Sequence, residues 1–158
     1  MQTSRAATVS ELQGLQMVRA DLFRRIAARP HGDARDLLVI QAALRSGKVS
    51  LSKPVVALGV GATLGKVLEN ALGLRWVSHQ AEDGSTELAL IQGEPGRQTL
   101  AHYCVPISSV QKRIEEGGSL DLDGLYRALA ELMVPAADAA QEEDWRRWGS
   151  TRSPCRIR

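Results

Sequence analysis

The feature that most constrains the fold is an apolar helical pattern from Pro54 to Leu72, which carries little polar surface before Lys66. A helix that is apolar on most of its faces is normally buried at the centre of a domain. Gly73 follows the pattern directly and is a typical residue for the end of a helix. We therefore expect a central helix against which the rest of the chain packs.

Three short strands are predicted after this helix, at about residues 74–80, 86–92 and 99–105. The pair Asp83-Gly84 between the first two strands suits a tight hairpin turn, because glycine readily adopts positive φ. Strands joined by short turns pair with their neighbours in an antiparallel manner. The predicted fold class is therefore α+β, with a short three-stranded antiparallel sheet packed against several helices, one of them a central apolar helix.

Amphipathic helices are predicted on both sides of this block, each preceded by a residue that can cap its N-terminus. Ser10 and Gln13 have the spacing of a capping box for the first helix. The other expected caps are Asp33 for the second helix, Ser52 for the central helix, and Asp121 or Asp123 for the last one.

Length and composition indicate one domain of ordinary globular character. The chain has 158 residues, of which 44% are hydrophobic and 24% charged, and its net charge is +2. We expect a disordered N-terminus at 1–9, a single α+β domain at 10–135, and a C-terminal helical segment with a basic tail at 136–158. Such a small net charge does not by itself indicate nucleic-acid binding.

The first ten residues lack the apolar core of a secretory signal, and the apolar stretch from Val55 to Leu64 is shorter than the roughly 20 residues that span a bilayer. The two cysteines do not make a disulfide framework. These features predict a cytoplasmic protein without a membrane partner.

Gly59, Gly61 and Gly65 resemble a phosphate-binding loop in composition. A dinucleotide-binding fingerprint places its glycines just after a strand, at the start of a helix. Here they lie inside a helical pattern, so we interpret them as positions where a neighbouring element packs closely.

His79, His102 and Cys104 fall on nearby predicted strands, which leaves two interpretations open besides ordinary strand residues. The three side chains could bind zinc or copper, or they could form a thiol nucleophile with a general base. Because no carboxylate is evident to orient the base, we expect neither a catalytic residue nor a bound metal or cofactor.

The residues favoured for binding a protein partner lie on three predicted surface segments. Tryptophan and arginine are enriched in the residues that dominate protein interfaces. The alternative for the two tryptophans is that they fold back and cover the core. The candidates are Glu82 and Asp83 at the hairpin turn, Lys112 and Arg113 on a short helix, and Trp145, Arg146, Arg147 and Trp148 near the C-terminus.

The motifs of the core support a family resemblance over about residues 10–133. They are the strand start Leu74-Arg75-Trp76-Val77 after Leu72-Gly73, the acidic turn Glu82-Asp83-Gly84, the strand Leu88-Ala89-Leu90, and the helix Pro106 to Glu115. The chain in this respect resembles a small bacterial family, domain of unknown function number 3806. The stretch 100–104 is more polar than is usual in that family, and the residues after Pro135 lie beyond the resemblance.

The resemblance implies the fold and supplies no catalytic residues. Small bacterial domains of this kind are often found beside secreted toxins as immunity proteins. The expected function is therefore a non-enzymatic protein-binding module that neutralises a cognate bacterial toxin. The alternatives are a small enzyme or a ligand- or metal-binding domain that uses His79, His102 and Cys104, and a nucleic-acid accessory protein that acts through the basic tail at 149–158.

Overall fold

The computed structural model describes residues 3–95 and 103–133, which form five helices and one four-stranded antiparallel sheet. This arrangement confirms the predicted α+β class. The elements in chain order are β1 (Thr3–Ala6), α1 (Val9–Ile26), α2 (Ala34–Arg45), α3 (Pro54–Leu72), β2 (Arg75–Gln80), β3 (Thr86–Ile91), β4 (Tyr103–Cys104), α4 (Pro106–Glu115) and α5 (122–133).

The strands lie in the sheet in the order β1-β2-β3-β4, and every neighbouring pair is antiparallel. The predicted pairing of the two central strands is correct, since β2 and β3 pair along their full lengths. The third predicted strand is described only at Tyr103–Cys104, because residues 99–102 lie outside the described residues.

The expectation of three strands after a disordered N-terminus is wrong at Thr3–Ala6, which form an edge strand beside β2. These residues have no alternation of apolar and polar side chains, so their sequence carries no strand signal. Backbone pairing holds the strand in place. The Arg5 guanidinium also donates two hydrogen bonds, of 2.9 and 3.0 Å, to the Glu11 carboxylate in α1.

The capping box of α1 uses Thr8 and Glu11 rather than Ser10 and Gln13. The Glu11 amide donates to the Thr8 hydroxyl at 3.2 Å, and the Thr8 amide donates to the Glu11 carboxylate at 2.7 Å. The hydrogen bond from Arg5, followed by that from the Thr8 amide, lowers the pKa of Glu11 to about 2. A carboxylate is a stronger acceptor than an amide, which favours Glu11 over Gln13 as the partner in the box.

The second helix begins as predicted. The Asp33 carboxylate accepts a hydrogen bond of 3.0 Å from the Arg35 amide. Asp36, in the first turn, is fully buried and accepts hydrogen bonds from the amides of His31 at 2.7 Å and Gly32 at 2.8 Å. This buried carboxylate therefore fixes the connection between α1 and α2.

The predicted cap of α3 is wrong, whereas its predicted end is correct. Lys53, not Ser52, precedes the helix, and no side chain caps it. Pro54 occupies the first turn, where its lack of an N–H costs no hydrogen bond. Gly73 ends the helix in the left-handed conformation at φ 64°.

The central helix α3 contacts α1, α2 and α4. A Cβ on Gly59 would lie 2.8 Å from a backbone oxygen of α1, and a Cβ on Gly61 would lie 2.7 Å from the backbone of α4. A Cβ on Gly65 would collide with the indole ring of Trp76 in β2. The interpretation of the glycines as close-packing positions is therefore confirmed.

By length and composition alone, α3 is the one described helix that could cross a membrane. However, 61% of its most apolar window is buried in this fold. Core helices of globular proteins pass the same test, and the position of α3 among three other helices is typical of them.

The sheet has two faces with separate apolar clusters, since successive side chains of a strand point to opposite sides. The inner face carries Trp76, Leu90 and Cys104, which belong to one core with residues of the helices. The outer face carries Val77, Ala89 and Ile91, which form a second buried cluster with Tyr103 and Val105.

Candidate functional site

The predicted acidic hairpin lies at an exposed tip between β2 and β3. The Asp83 carboxylate accepts hydrogen bonds from the amide and hydroxyl of Ser85, at 2.8 and 2.6 Å, and these bonds lower its pKa. Glu82 is exposed beside it. Asp83 thus serves the turn itself, and binding through the pair stays a prediction.

Lys112 and Arg113 are exposed in the last turn of α4. Cations at this position complement the partial negative charge at the end of a helix. Neither forms an ion pair with another residue in the described ranges. The C-terminal candidates lie outside the described residues, so their role in binding stays a prediction. They are Trp145, Arg146, Arg147 and Trp148.

The structure separates His79 from Cys104. The register places His79 opposite Glu87 on the outer face and Cys104 opposite Leu90 on the inner face. His79 is 1% exposed, and its ring centroid lies 4.8 Å from that of Tyr103. A shared metal or a thiol–imidazole pair needs both side chains on one side of the sheet, so this register does not support the alternative of a joint site at His79 and Cys104.

The Cys104 thiol is buried against the helices, and desolvation raises its pKa to about 12. A thiol with that pKa is almost wholly protonated near neutral pH and is a poor nucleophile or metal ligand. His102, the third residue of the predicted cluster, lies outside the described residues. Within residues 3–95 and 103–133, no group of three or more His, Cys, Asp or Glu side chains is placed to hold a metal ion.

A groove that the sequence reasoning missed lies between α2 and the start of α5, and we call it the α2 groove. Its volume is about 360 Å³. Leu38 at its rim is 65% exposed, although it is a large apolar side chain. The groove is lined by Ala34, Leu37, Leu38, Gln41, Arg45, Asp121, Asp123 and Arg127.

Two of the four charged residues that line the α2 groove form an ion pair with each other. The Arg127 guanidinium lies 2.6 Å from the Asp123 carboxylate, and the Asp121 carboxylate accepts a hydrogen bond of 3.1 Å from the Gly124 amide. Arg45, exposed in the last turn of α2, forms no ion pair with a described residue. The groove therefore presents an apolar rim and one cation that is available to a partner.

The two walls of the groove are held together by a hydrogen bond from the Leu122 amide to the Gln41 side-chain oxygen, at 2.9 Å. A sequence signal for the exposed rim exists in the run Leu37-Leu38-Val39-Ile40. Consecutive residues of a helix point in different directions, so four apolar residues in a row cannot all face the core. Leu37 and Ile40 are buried, whereas Leu38 and Val39 are exposed.

A smaller cleft of about 130 Å³ lies between α1, α3 and β2. Arg19 lines it and is half-buried, and its Nε has no hydrogen-bond partner among the described residues. Burial lowers the pKa of Arg19, and the charges of Asp36 and Glu69 oppose that shift. Lys66 at the cleft is paired with Glu69 at 3.1 Å, so Arg19 is the cleft's one cation without an ion pair among the described residues.

A search of curated proteins found no match to this chain. Among solved structures, the fold is similar to a crystal structure from Bacteroides thetaiotaomicron VPI-5482, with a TM-score of 0.60 and 19% sequence identity. The match covers 87% of this chain and 48% of that chain, so this chain spans about half the length of the solved structure. At this identity the likeness shows the fold alone.

The family model described as "Domain of unknown function (DUF3806)" matches residues 36–126. The matched range begins in the first turn of α2 and ends within α5, so it includes the central helix, β2, β3 and most of the α2 groove. Because this range is more than half of the chain, the protein belongs to the DUF3806 family.

Proposed function

We propose that this protein is a protein-binding module that holds its partner at the α2 groove. The observation that carries the proposal is the 65% exposure of Leu38 beside a groove of about 360 Å³. Single exposed apolar residues are common on protein surfaces. Leu38 differs from these because it lies at the rim of a preformed groove. An apolar side chain of a partner can be buried in that groove, against Leu38.

The charges of the α2 groove define the chemistry of the partner segment. Arg45 lacks an ion pair among the described residues, whereas the Asp123 carboxylate is held by Arg127. A complementary segment therefore carries a large apolar side chain for Leu38 and a carboxylate for Arg45. Placing opposite charges across an interface favours fast association and the correct partner.

The specific role that we propose is that of an immunity protein, which binds and neutralises a cognate bacterial toxin in the cytoplasm. Two observations support the binding surface that this role requires. Leu38, Arg45 and Asp121 all lie within the residues that match the family model. The α2 groove is also open to solvent. An open groove can accept a segment of a protein, whereas small molecules are usually bound in enclosed pockets.

The test uses the products of genes adjacent to the one that encodes this chain. We expect one of them to arrest growth when expressed alone, and co-expression of this protein to restore growth. The purified pair should bind, and Leu38→Asp should weaken binding at least thirtyfold, which corresponds to about 2 kcal/mol for a central interface residue.

Met17→Asp is the matched control, because Met17 is 71% exposed on α1 and does not line the groove. It introduces the same charge at an exposed apolar position and should change the affinity less than about threefold. Failure of every neighbouring product to be neutralised would contradict the immunity role. A neutralised toxin that binds the Leu38→Asp variant as tightly as wild type would instead contradict the α2 groove as the site.

A further inference from the structure

The cleft between α1, α3 and β2, which we call the Arg19 cleft, is bordered by one face of each helix. Leu12 and Arg19 of α1 both line it, and their spacing of two helical turns places them on one face. Ala62 and Lys66 of α3 line it as a pair one turn apart. The Trp76 side chain of β2 completes the lining. The cleft therefore combines apolar walls with charged groups.

The Arg19 guanidinium carries a charge that no side chain in the described ranges pairs with. Its Nε atom is shielded from solvent and has no hydrogen-bond partner among the described residues. Buried donors without an acceptor are rare in folded proteins, and each one calls for an explanation such as a bound ion or water. Burial also lowers the pKa of this group, because the surroundings disfavour its charged form. A negatively charged acceptor in the cleft would remove both costs.

The two carboxylates whose charges act on Arg19 are engaged elsewhere. Asp36 accepts hydrogen bonds from two backbone amides of the connection between α1 and α2, at 2.7 and 2.8 Å. Glu69 lies 3.1 Å from the Lys66 ammonium group. The charged residues that line the cleft, Arg19, Lys66 and Glu69, together carry one net positive charge. The described chain thus leaves room for one further negative charge beside Arg19.

We propose that the Arg19 cleft binds a small monocarboxylate, whose carboxylate accepts hydrogen bonds from the Arg19 guanidinium and whose apolar tail lies against Leu12 and Trp76. Guanidinium and carboxylate groups are both planar and can form two parallel hydrogen bonds. A single carboxylate balances the one net positive charge of the lining, whereas a doubly charged phosphate would bring one negative charge too many.

The size and walls of the cleft also select the ligand. Its volume is about 130 Å³, and a water molecule in the liquid occupies about 30 Å³. The cleft therefore has room for a few non-hydrogen atoms and is smaller than the roughly 300–1,000 Å³ of sites for drug-sized ligands. Water alone would satisfy the donors of Arg19, but it would neither balance the charge nor cover the apolar surface of Leu12.

This proposal is independent of the α2 groove, because the two sites share no lining residue. Leu38→Asp should leave carboxylate binding unchanged, and changes at Arg19 should leave binding of a protein partner at the α2 groove unchanged. Failure of either proposal is therefore distinguishable from failure of the other.

The first experiment titrates the full-length protein with butyrate and follows its ¹H–¹⁵N NMR signals. We expect saturable shifts of the Arg19 Nε–Hε signal and of the amides of Leu12 and Ala62, with a Kd on the order of 1 mM for so small a ligand. Butyramide has the same shape without the charge and should bind at least about tenfold more weakly, as should inorganic phosphate. Shifts that do not saturate about tenfold above this Kd, or equal binding of butyramide or phosphate, would overturn the proposal.

Arg19→Gln tests the cation directly. It should weaken butyrate binding at least about tenfold, because it removes hydrogen bonds from a charged donor. Arg24→Gln is the matched control, since Arg24 lies on the same helix, pairs with Asp21 and does not line the cleft. The control should change the affinity less than about threefold. Unchanged binding by Arg19→Gln, or an equal loss in the control, would contradict the assignment.

A gain of affinity gives a test that a misfolded variant cannot imitate. Glu69→Gln removes the negative charge beside Lys66 and so adds one positive charge to the net charge of the lining. We expect this variant to bind butyrate about threefold more tightly than the wild type at low salt. Unchanged or weaker binding would show that the charge of the cleft does not hold the ligand, and would overturn the proposal.

Discussion

The two faces of the sheet are equally buried but are specified in different ways. On the inner face, Trp76 is 8% exposed and sits against Gly65 of α3, where no side chain intervenes. On the outer face, Val77 is fully buried, yet its described neighbours in the apolar cluster are other strand residues and Val105. We call the position at Gly65, where the absence of a side chain leaves room for the Trp76 ring, the Gly65 notch. The inner face is thus specified by a contact with one helix, whereas the described apolar contacts of the outer face lie within the sheet and its flanking residue Val105.

Gly65→Ala tests the inner face and should have the largest effect of the variants considered. The new Cβ would collide with the Trp76 ring and would lie 3.4 Å from Pro106. We expect the free energy of unfolding to fall by about 3 kcal/mol, because overpacking of a rigid contact forces the helix and sheet apart. Urea unfolding followed by circular dichroism measures this change.

Gly14→Ala is the control for helical glycine, since a Cβ at Gly14 in α1 would meet nothing within 4 Å. It should raise the free energy of unfolding by about 0.5–1 kcal/mol through helix propensity. A similar response of both variants would show that the Gly65 notch is not what holds Trp76.

The outer face is probed by Ala89→Asp, since Ala89 is fully buried there. Because this position is buried, an unpaired carboxylate there should lower the free energy of unfolding by about 2–3 kcal/mol. Thr86→Asp in the same strand, at an exposed position, should cost less than about 1 kcal/mol. Equal costs in denaturant titrations would mean that water reaches the outer face.

The inner face also predicts a dependence on alkaline pH. Burial raises the pKa of Cys104 from 9.0 to about 12, so above pH 9 the unfolded thiol ionises while the folded thiol keeps its proton. Stability from this group is therefore present below pH 9 and is lost as pH rises towards 12, by about 1 kcal/mol between pH 9 and 10. Urea unfolding should show this loss in the wild type and not in Cys104→Ala, and parallel pH profiles would contradict it.

The smallest effect concerns β1, the edge strand that extends both faces. The pKa of Glu11 is lowered to about 2, mainly by the hydrogen bond from Arg5. Its contribution is present above about pH 4.5 and is lost as pH falls towards 2. Because the pair is partly exposed, Glu11→Gln should cost about 1 kcal/mol or less at pH 6.

Amide hydrogen exchange of Thr3–Ala6 measures this effect locally, with exchange faster in Glu11→Gln at pH 6 and the difference smaller at pH 3. Asp21, which pairs with Arg24 and Arg25 on the surface of α1, provides the control. Asp21→Asn should leave exchange in β1 unchanged, because it does not contact that strand.

The sequence predicts the central helix, the hairpin of β2 and β3 and the packing role of the glycines because each has a local signature. Gly59 and Gly65 interrupt an apolar helix, and Asp83-Gly84 marks a turn. The strand β1 was not predicted. It is held by backbone pairing with β2 and by one ion pair, and neither requires an alternation of apolar and polar residues in its four-residue sequence.

The candidate site was harder to predict from the sequence, because strand register determines which side chains share a face of the sheet. His79 lies in β2 and Cys104 in β4, with β3 between them, and a difference of one residue in register exchanges the two faces. The α2 groove depends on where α5 meets α2, through Gln41 and Leu122, which are far apart in the sequence. Only the exposure of Leu38 had a local signal, in the run of four apolar residues.

The notch at Gly65 also has a kinetic consequence. Gly65 and Trp76 are separated by 11 positions, whereas Gly59 and its partner Leu22 in α1 are separated by 37. Closing a short loop costs less entropy than closing a long one, so contacts between near neighbours in sequence form first. We therefore expect α3, β2 and β3 to form the folding nucleus and α1 to dock late.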